Sequence, residues 1–196
     1  MLPKKFILLL CAAIALVFFA SCSASPPTRT PPSLTEKFES VATIEPLTVA
    51  LAILAPTADN RVMGSVKFLQ SEGSVKVTAT LQGLEPDSVH AWHIHEFGDA
   101  SSLDGQAMGG HYNPGGMSHG LPNNPKRHAG DLGNLKADSR GEVIKEMMVN
   151  NITINGAKNP ILGRGMIIHA ETDDGGQPTG NAGSRIAQGV IGLPKA

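Results

Sequence analysis

Six of the seven histidines in this 196-residue chain, His93, His95, His111, His119, His128 and His169, form one ordered series, and Asp131 falls inside it. A fold that uses these imidazoles together has to gather side chains that lie far apart in sequence. Imidazole is the commonest biological ligand for copper and zinc, so the series points to metal. In Ala91-Trp92-His93-Ile94-His95 two histidines stand two apart in an apolar, β-prone run. A strand there projects both to one face, where they can share an ion. The same parity sends His90, Trp92 and Ile94 to the other face, which makes His90 a hydrogen-bonded structural residue and Trp92 a core residue.

His111, His119, His128 and Asp131 follow in a stretch dense in Gly, Pro, Asn and Ser that reads as a long ordered loop. A loop of that length needs a reason, and binding a metal is one. Three nitrogens and one carboxylate oxygen make a closed tetrahedral set that zinc accepts well. With no sulfur among the donors, an iron–sulfur cluster or a soft Cu(I) store is disfavoured. The strand pair with His169, which ends the apolar run Gly165-Met166-Ile167-Ile168-His169, offers a more open, nitrogen-rich site suited to redox copper.

From about Leu47 to Gly192 the chain resembles the copper/zinc superoxide dismutase family. The resemblance is carried by His93-Ile94-His95-Glu96-Phe97-Gly98-Asp99, Gly110-His111-Tyr112-Asn113-Pro114, His128-Ala129-Gly130-Asp131-Leu132-Gly133-Asn134, His169 with Asp173-Asp174, and Gly180-Asn181-Ala182-Gly183-Ser184-Arg185. It implies copper on His93, His95, His111 and His169, and zinc on His111, His119, His128 and Asp131. His111 is then the shared bridge, bound through both ring nitrogens. Arg185 would stand beside the copper to attract superoxide and hydrogen-bond it, with Thr179 lining the channel. Asp173 would tie His93 to His119, and Asp174 would be a solvated or loop-capping acid. The implied reaction converts superoxide to dioxygen and hydrogen peroxide through Cu(II)/Cu(I) cycling, with His111 delivering a proton and zinc holding its ring. The main alternative is a non-catalytic copper/zinc-binding or copper-buffering envelope protein, which would need the two metal sets but neither Arg185 nor Thr179.

Lys4 and Lys5 precede an apolar run from Phe6 to Phe19 that ends in Phe19-Ala20-Ser21-Cys22. This is an export signal, and its ending resembles a bacterial lipoprotein cleavage box with Cys22 as the acylated first mature residue; the alternative is an ordinary secretory signal cut nearby. Three regions follow: a signal peptide over 1–21, a Pro/Ser/Thr-rich tether over 22–46 and a metal-binding domain over 47–196. The protein is thus expected in the cell envelope, on the extracytoplasmic or periplasmic side, held to the membrane only through an N-terminal lipid. No apolar run reaches the roughly 20 residues of a spanning helix. A formal net charge of −1 gives no basic footprint for nucleic acid.

Short β-prone runs separated by turn clusters dominate the rest: Thr48–Leu54, Val62–Leu69, Ser74–Leu81, Val89–His95, Leu135–Val143, Glu146–Ile154, Gly165–His169 and Ile186–Ile191. Regular short strands favour an all-β class. With the resemblance they imply a Greek-key eight-stranded flattened barrel or β-sandwich carrying long metal-binding loops. Met147 and Met148 are adjacent, face opposite sides of a strand, and read as packing rather than a copper relay.

Two departures from the family pattern stand out. Gln188 occupies the place of a cysteine three residues after the arginine, and the only cysteines, Cys11 and Cys22, lie in the export segment, so the domain cannot form the family's internal disulfide. Gln188 is instead expected to hydrogen-bond loop backbone near Gly105 to Gly109. The segment from His169 to Arg185 is short, acidic and free of lysine, which weakens long-range attraction of an anion. Phe97-Gly98, Leu162-Gly163, Val190 and Leu193 resemble an apolar dimer contact, so a homodimer is expected.

Overall fold

The computed structural model describes residues 46–195. The expectations for the signal peptide, Cys22 and the tether up to residue 45 lie outside these residues. Eight strands follow in order: β1 Val49–Pro56, β2 Met63–Ser71, β3 Ser74–Gln82, β4 Val89–His95, β5 Asp131–Lys136, β6 Val143–Val149, β7 Gly165–His169 and β8 Arg185–Gly192. All pair antiparallel in the spatial order β5-β4-β7-β8-β1-β2-β3-β6, and the sheet curls into a nearly closed barrel. The chain crosses from β3 to β4 on the far half of the sheet and returns from β5 to β6 beside β3, the connection expected of a Greek-key barrel. Among the described residues the only helical turn is the 3-10 segment Gln106–Met108.

Period-two alternation builds the core. Ala50, Ala52 and Leu54 of β1, Val66 and Phe68 of β2, and Val75, Val77, Ala79 and Leu81 of β3 point inward, while their neighbours face solvent. The pairing Ala52↔Val66↔Ala79 keeps the inward rows aligned. Each large inward side chain contributes about 1.5–3 kcal/mol of burial. β4 and β7 differ, for every residue from His90 to His95 and from Gly165 to His169 is buried. Their inner faces, including Trp92, Ile94, Met166 and Ile168, join the core. Their other face is covered by the two long connections, residues 96–130 and 170–184.

Two strand expectations are corrected. The run Leu135–Val143 is not a strand: β5 starts earlier, at Asp131, because the residues after the His128-Ala129-Gly130 turn pair with β4 in the register His93↔Asp131 and His90↔Leu135. It ends at Lys136, where Asp138 accepts the N–H groups of Arg140 and Glu142 and forms a turn through Gly141, at φ 76°. Likewise β6 runs over Val143–Val149 rather than Glu146–Ile154. Beyond it Ile152, Ile154 and Ile161 are buried from an irregular segment closed by a bridge between Thr153 and Pro160.

The 96–130 connection returns along the end of β4. Tyr112 N–H donates to the Ile94 carbonyl, Ile94 N–H to that of Gly130, and His95 bridges to His111. Any Cβ at position 130 would collide with the Ile94 carbonyl oxygen, so only glycine permits this approach. The connection is thereby fixed where its histidines meet those of the strands.

Candidate metal centre

Where the loops cross β4 and β7, buried donors form two sets that meet at His111, besides the trio His93, His119 and Asp173 that links them. His93, His95, His111 and His169 make one, His111, His119, His128 and Asp131 the other, and within each the ligand-type atoms lie within 4.8 Å of one another. Strand geometry explains the first. His93 and His95 leave β4 on its outer face opposite Ile167 and Gly165 of β7, and His169, at the end of β7, pairs with Arg185 of β8 across a bulge. The second is assembled by the loop, with Asp131 opening β5.

Each of four histidines spends one ring nitrogen on an anchoring hydrogen bond and aims the other inward. His93 anchors Nε2 on Asp173 Oδ2 at 2.9 Å, which leaves Nδ1 buried and unpartnered. His95 anchors Nδ1 on the Gly109 carbonyl at 3.0 Å, and His169 anchors Nδ1 on that of Gly183 at 3.4 Å. Their two Nε2 atoms then face each other at 3.4 Å. Both rings give their proton to a carbonyl, so the neutral rings oppose lone pairs, an arrangement a cation between them relieves. His119 anchors Nε2 on Asp173 Oδ1 at 2.8 Å and presents Nδ1.

The second group passes the same test. His111 Nδ1 lies 3.0 Å from Asp131 Oδ1, leaving Nε2 on the other edge of the ring for the first group. His119 Nδ1 lies 3.0 Å from Asp131 Oδ2, and His128 Nδ1 3.2 Å from Oδ1. Neither of those two close pairs is a hydrogen bond, and both ring nitrogens lack any other partner. Short distances without hydrogen-bond alignment are what donors aimed at a common point produce. The donor set fits a divalent ion in each group.

Electrostatics agree with ligands held in their metal-binding forms. Burial pushes His93 down to about 4, against the pull of Asp173, and pushes His169 down to about 3. Burial also takes His95 well below the usual imidazole range and lowers His128. Burial by itself would raise Asp173, yet hydrogen bonds from His93 and His119 outweigh it and hold the carboxyl at about 2. Asp131 likewise stays well below the carboxylate range because His111 and the Gly120 N–H outweigh its burial. Neutral imidazoles and ionised carboxylates are the coordinating species.

The remaining candidates fall into three places. Arg185 is half-buried, donating through Nη1 to the Gly105 carbonyl and through Nη2 to that of Gly109 at 2.6 Å. Gln188 reaches the same loop but at Ser102, whose carbonyl accepts Nε2 at 2.9 Å. This corrects the expected contact at Gly105 to Gly109, which Arg185 occupies instead. Thr179 is exposed in the turn that precedes Gly180, and Asp174 caps its own loop through Gly176 N–H and Asn181 Nδ2. His90 lies on the Trp92 side, between Ser88 Oγ at 2.7 Å and the His169 carbonyl at 2.9 Å.

Residues 62–191 match the family described as Copper/zinc superoxide dismutase (SODC). The chain belongs to the copper/zinc superoxide dismutase family. It is similar to Superoxide dismutase [Cu-Zn] of Paramecium bursaria Chlorella virus 1, 37% identical over 170 residues, covering 83% of this chain and 87% of the relative. It is also similar to Superoxide dismutase [Cu-Zn] 3 of Arabidopsis thaliana, 42% identical over 154 residues and covering 74% and 90%. The enzyme of Humicola lutea is 40% identical over 153 residues, 74% of this chain and 97% of its own.

Sequence reasoning passed over the backbone partners. Asn134, quoted within a motif but given no role, clasps Asp173 by both main-chain groups at 2.8 Å. The Gly105 and Gly109 carbonyls carry no side-chain signal at all. Gln177 clasps His119 in the same two-bond fashion.

Proposed function

We propose that His93, His95, His111 and His169 hold copper and that His111, His119, His128 and Asp131 hold zinc, with His111 shared. The observation that carries this assignment is the gathering of buried ligand-type atoms within 4.8 Å of one another in each set, with Nδ1 of His93 in the first and Nδ1 of His119 and His128 in the second left without a hydrogen-bond partner. The protein is a copper/zinc superoxide dismutase, and its substrate is superoxide. Bound copper supplies one-electron redox chemistry between Cu(II) and Cu(I), and zinc a fixed positive charge.

The chain's own residues do the rest. Arg185, cationic at all relevant pH, is paired with His169 in register, and its fork is held by two carbonyls. In that fixed position it attracts the anion and donates hydrogen bonds to it as charge develops. Whenever its Nε2 is not serving as a ligand, His111 would carry a proton there and hand it to the reduced product, while Asp131 keeps the ring's other edge in place. Asp173 orients His93 and His119 together. Thr179, exposed in the turn before Gly180, would line the approach to Arg185.

We also propose an N-terminal lipid on Cys22, holding the domain on the extracytoplasmic side of a membrane of bacterial type, supported by the basic and apolar residues that precede it. No helix among the described residues is long and apolar enough to cross a membrane. A homodimer is supported by one exposed apolar face. Phe97 and Leu193 are 56% and 62% exposed, and Gly98 packs against Gly163 and Val190. Metal analysis with a superoxide-decay assay on the purified protein tests the assignment: about one copper and one zinc per chain with rapid decay is expected. Tight binding of both metals without decay would favour a buffering role.

A further inference from the structure

Gln177 lies in the 170–184 connection, 58 residues from His119, and serves both main-chain groups of that histidine. Its Oε1 accepts the His119 N–H at 3.1 Å and its Nε2 donates to the His119 carbonyl at 2.9 Å. The amide's orientation is fixed, because a backbone N–H can only donate and a carbonyl only accept. His119 belongs to no strand or helix, and no other backbone group pairs with its main chain among the described residues. It is nonetheless buried, so its N–H and C=O require partners. The ring is held from the same connection, since Asp173, four residues before Gln177, binds His119 Nε2 at 2.8 Å.

His119 therefore differs from its companions. His111, His128 and Asp131 are fixed by their own loop against β4 and β5, whereas both ends of His119 are gripped by the segment that leads to Arg185. Gln177 is itself exposed, so it contributes little packing, and the two hydrogen bonds are what it adds. We infer that Gln177 is a positioning residue for His119, acting through its backbone, and that the 170–184 connection thereby sets how tightly zinc is held. The inference rests on His119 being a zinc ligand.

The test uses full-length protein carrying Gln177→Ala or Gln177→Met, the second keeping the length of the side chain without its amide. Zinc affinity is read by competition with a chromophoric chelator, and copper affinity on zinc-saturated protein. Outer partners of metal ligands set affinity by roughly 10- to 100-fold, and a loss of that order for zinc is expected in both variants, with copper within about twofold. Cobalt(II) loaded in place of zinc should show shifted visible bands in Gln177→Met. Zinc affinity within about twofold of wild type in both variants overturns the inference. So does an equal loss of both metals, which would mean general loosening of the loops. His119→Ala separates the layers: unchanged zinc affinity there would overturn the ligand assignment itself, and the inference with it.

Discussion

One carbonyl oxygen, that of Gly109, accepts both Arg185 Nη2 at 2.6 Å and His95 Nδ1 at 3.0 Å, so the residue proposed to draw in the substrate and a proposed copper ligand share an anchor. Charge and position in Arg185 are thus separable by substitution. Arg185→Ala should lower the rate of superoxide decay about tenfold, equivalent to ~1.4 kcal/mol, with copper content unchanged and the salt dependence of the rate reduced. Arg185→Lys should restore the salt dependence but not the full rate, since an ammonium cannot span both carbonyls. Stopped-flow decay at several ionic strengths reads both effects, and an unaltered rate in Arg185→Ala would refute the role. At this scale the sequence was informative wherever a side chain carries the chemistry. The six histidines whose nitrogens meet are those that spacing singled out. Gly105 and Gly109 are silent in the sequence because they act through main-chain oxygens, which every residue possesses, and Gln188 meets the loop backbone at Ser102 rather than at Gly105 to Gly109 because a glutamine's reach does not fix its partner.

Elements without cysteines must be held by other means. The segment 99–110 is tied to the barrel by Gln188 to Ser102, by Arg185 to Gly105 and Gly109, and by Ala58 N–H to the Leu103 carbonyl at 2.7 Å. Such bonds contribute about 1 kcal/mol each, comparable in sum to a disulfide's ~2–4 kcal/mol. They break together when the loop opens, and ions bound at the proposed sites at its far end would add to its order, because a ligand bound only to the native state stabilises it. The holo-protein's melting temperature should therefore ignore thiol reductants and fall by about 10 °C or more with chelator, segment 99–131 being the first to exchange its amides. A metal-free form melting within about a degree of the holo form, with that segment protected, would assign the order to packing alone. Acid should act on the metal-free domain in two windows. The unfolded chain protonates His93 near 6.5 while the fold resists until about 4, so the unfolded state binds more protons in between and stability falls as pH drops through that range, His93 alone contributing on the order of 3 kcal/mol and the lowered His95, His128 and His169 acting in the same direction. Asp173, held at about 2, contributes stability above its unfolded value of about 3.9 that is lost as pH falls from there towards 2. Calorimetry from pH 7 to 2 checks this, and a flat profile between 6.5 and 4 would contradict it. Strand existence was legible from alternation, but the β5 start was not. Asp131 is at once a proposed zinc ligand and the first residue of a strand, and His128-Ala129-Gly130-Asp131 reads as turn chemistry until its pairing with His93 is known.

At the scale of the described domain, two adjacent donor sets lie on the outside of a barrel whose interior is committed to packing. The exposed face around Phe97, Gly98, Val190 and Leu193 predicts a dimer in sedimentation at micromolar concentration, and monomer alone would remove that proposal. Cys22→Ser should release the protein from the detergent-extracted membrane fraction, since acyl chains supply the anchoring energy; a wild-type protein that fractionates as soluble would exclude the lipid. The central claim is that two metals occupy two donor sets that have only His111 in common as a ligand. Metal content of His169→Ala and Asp131→Ala, measured side by side on protein loaded with both ions, tests it most directly. His169→Ala should lose or weaken copper and keep zinc, and Asp131→Ala should do the reverse; equal loss of both metals in each variant would contradict the assignment.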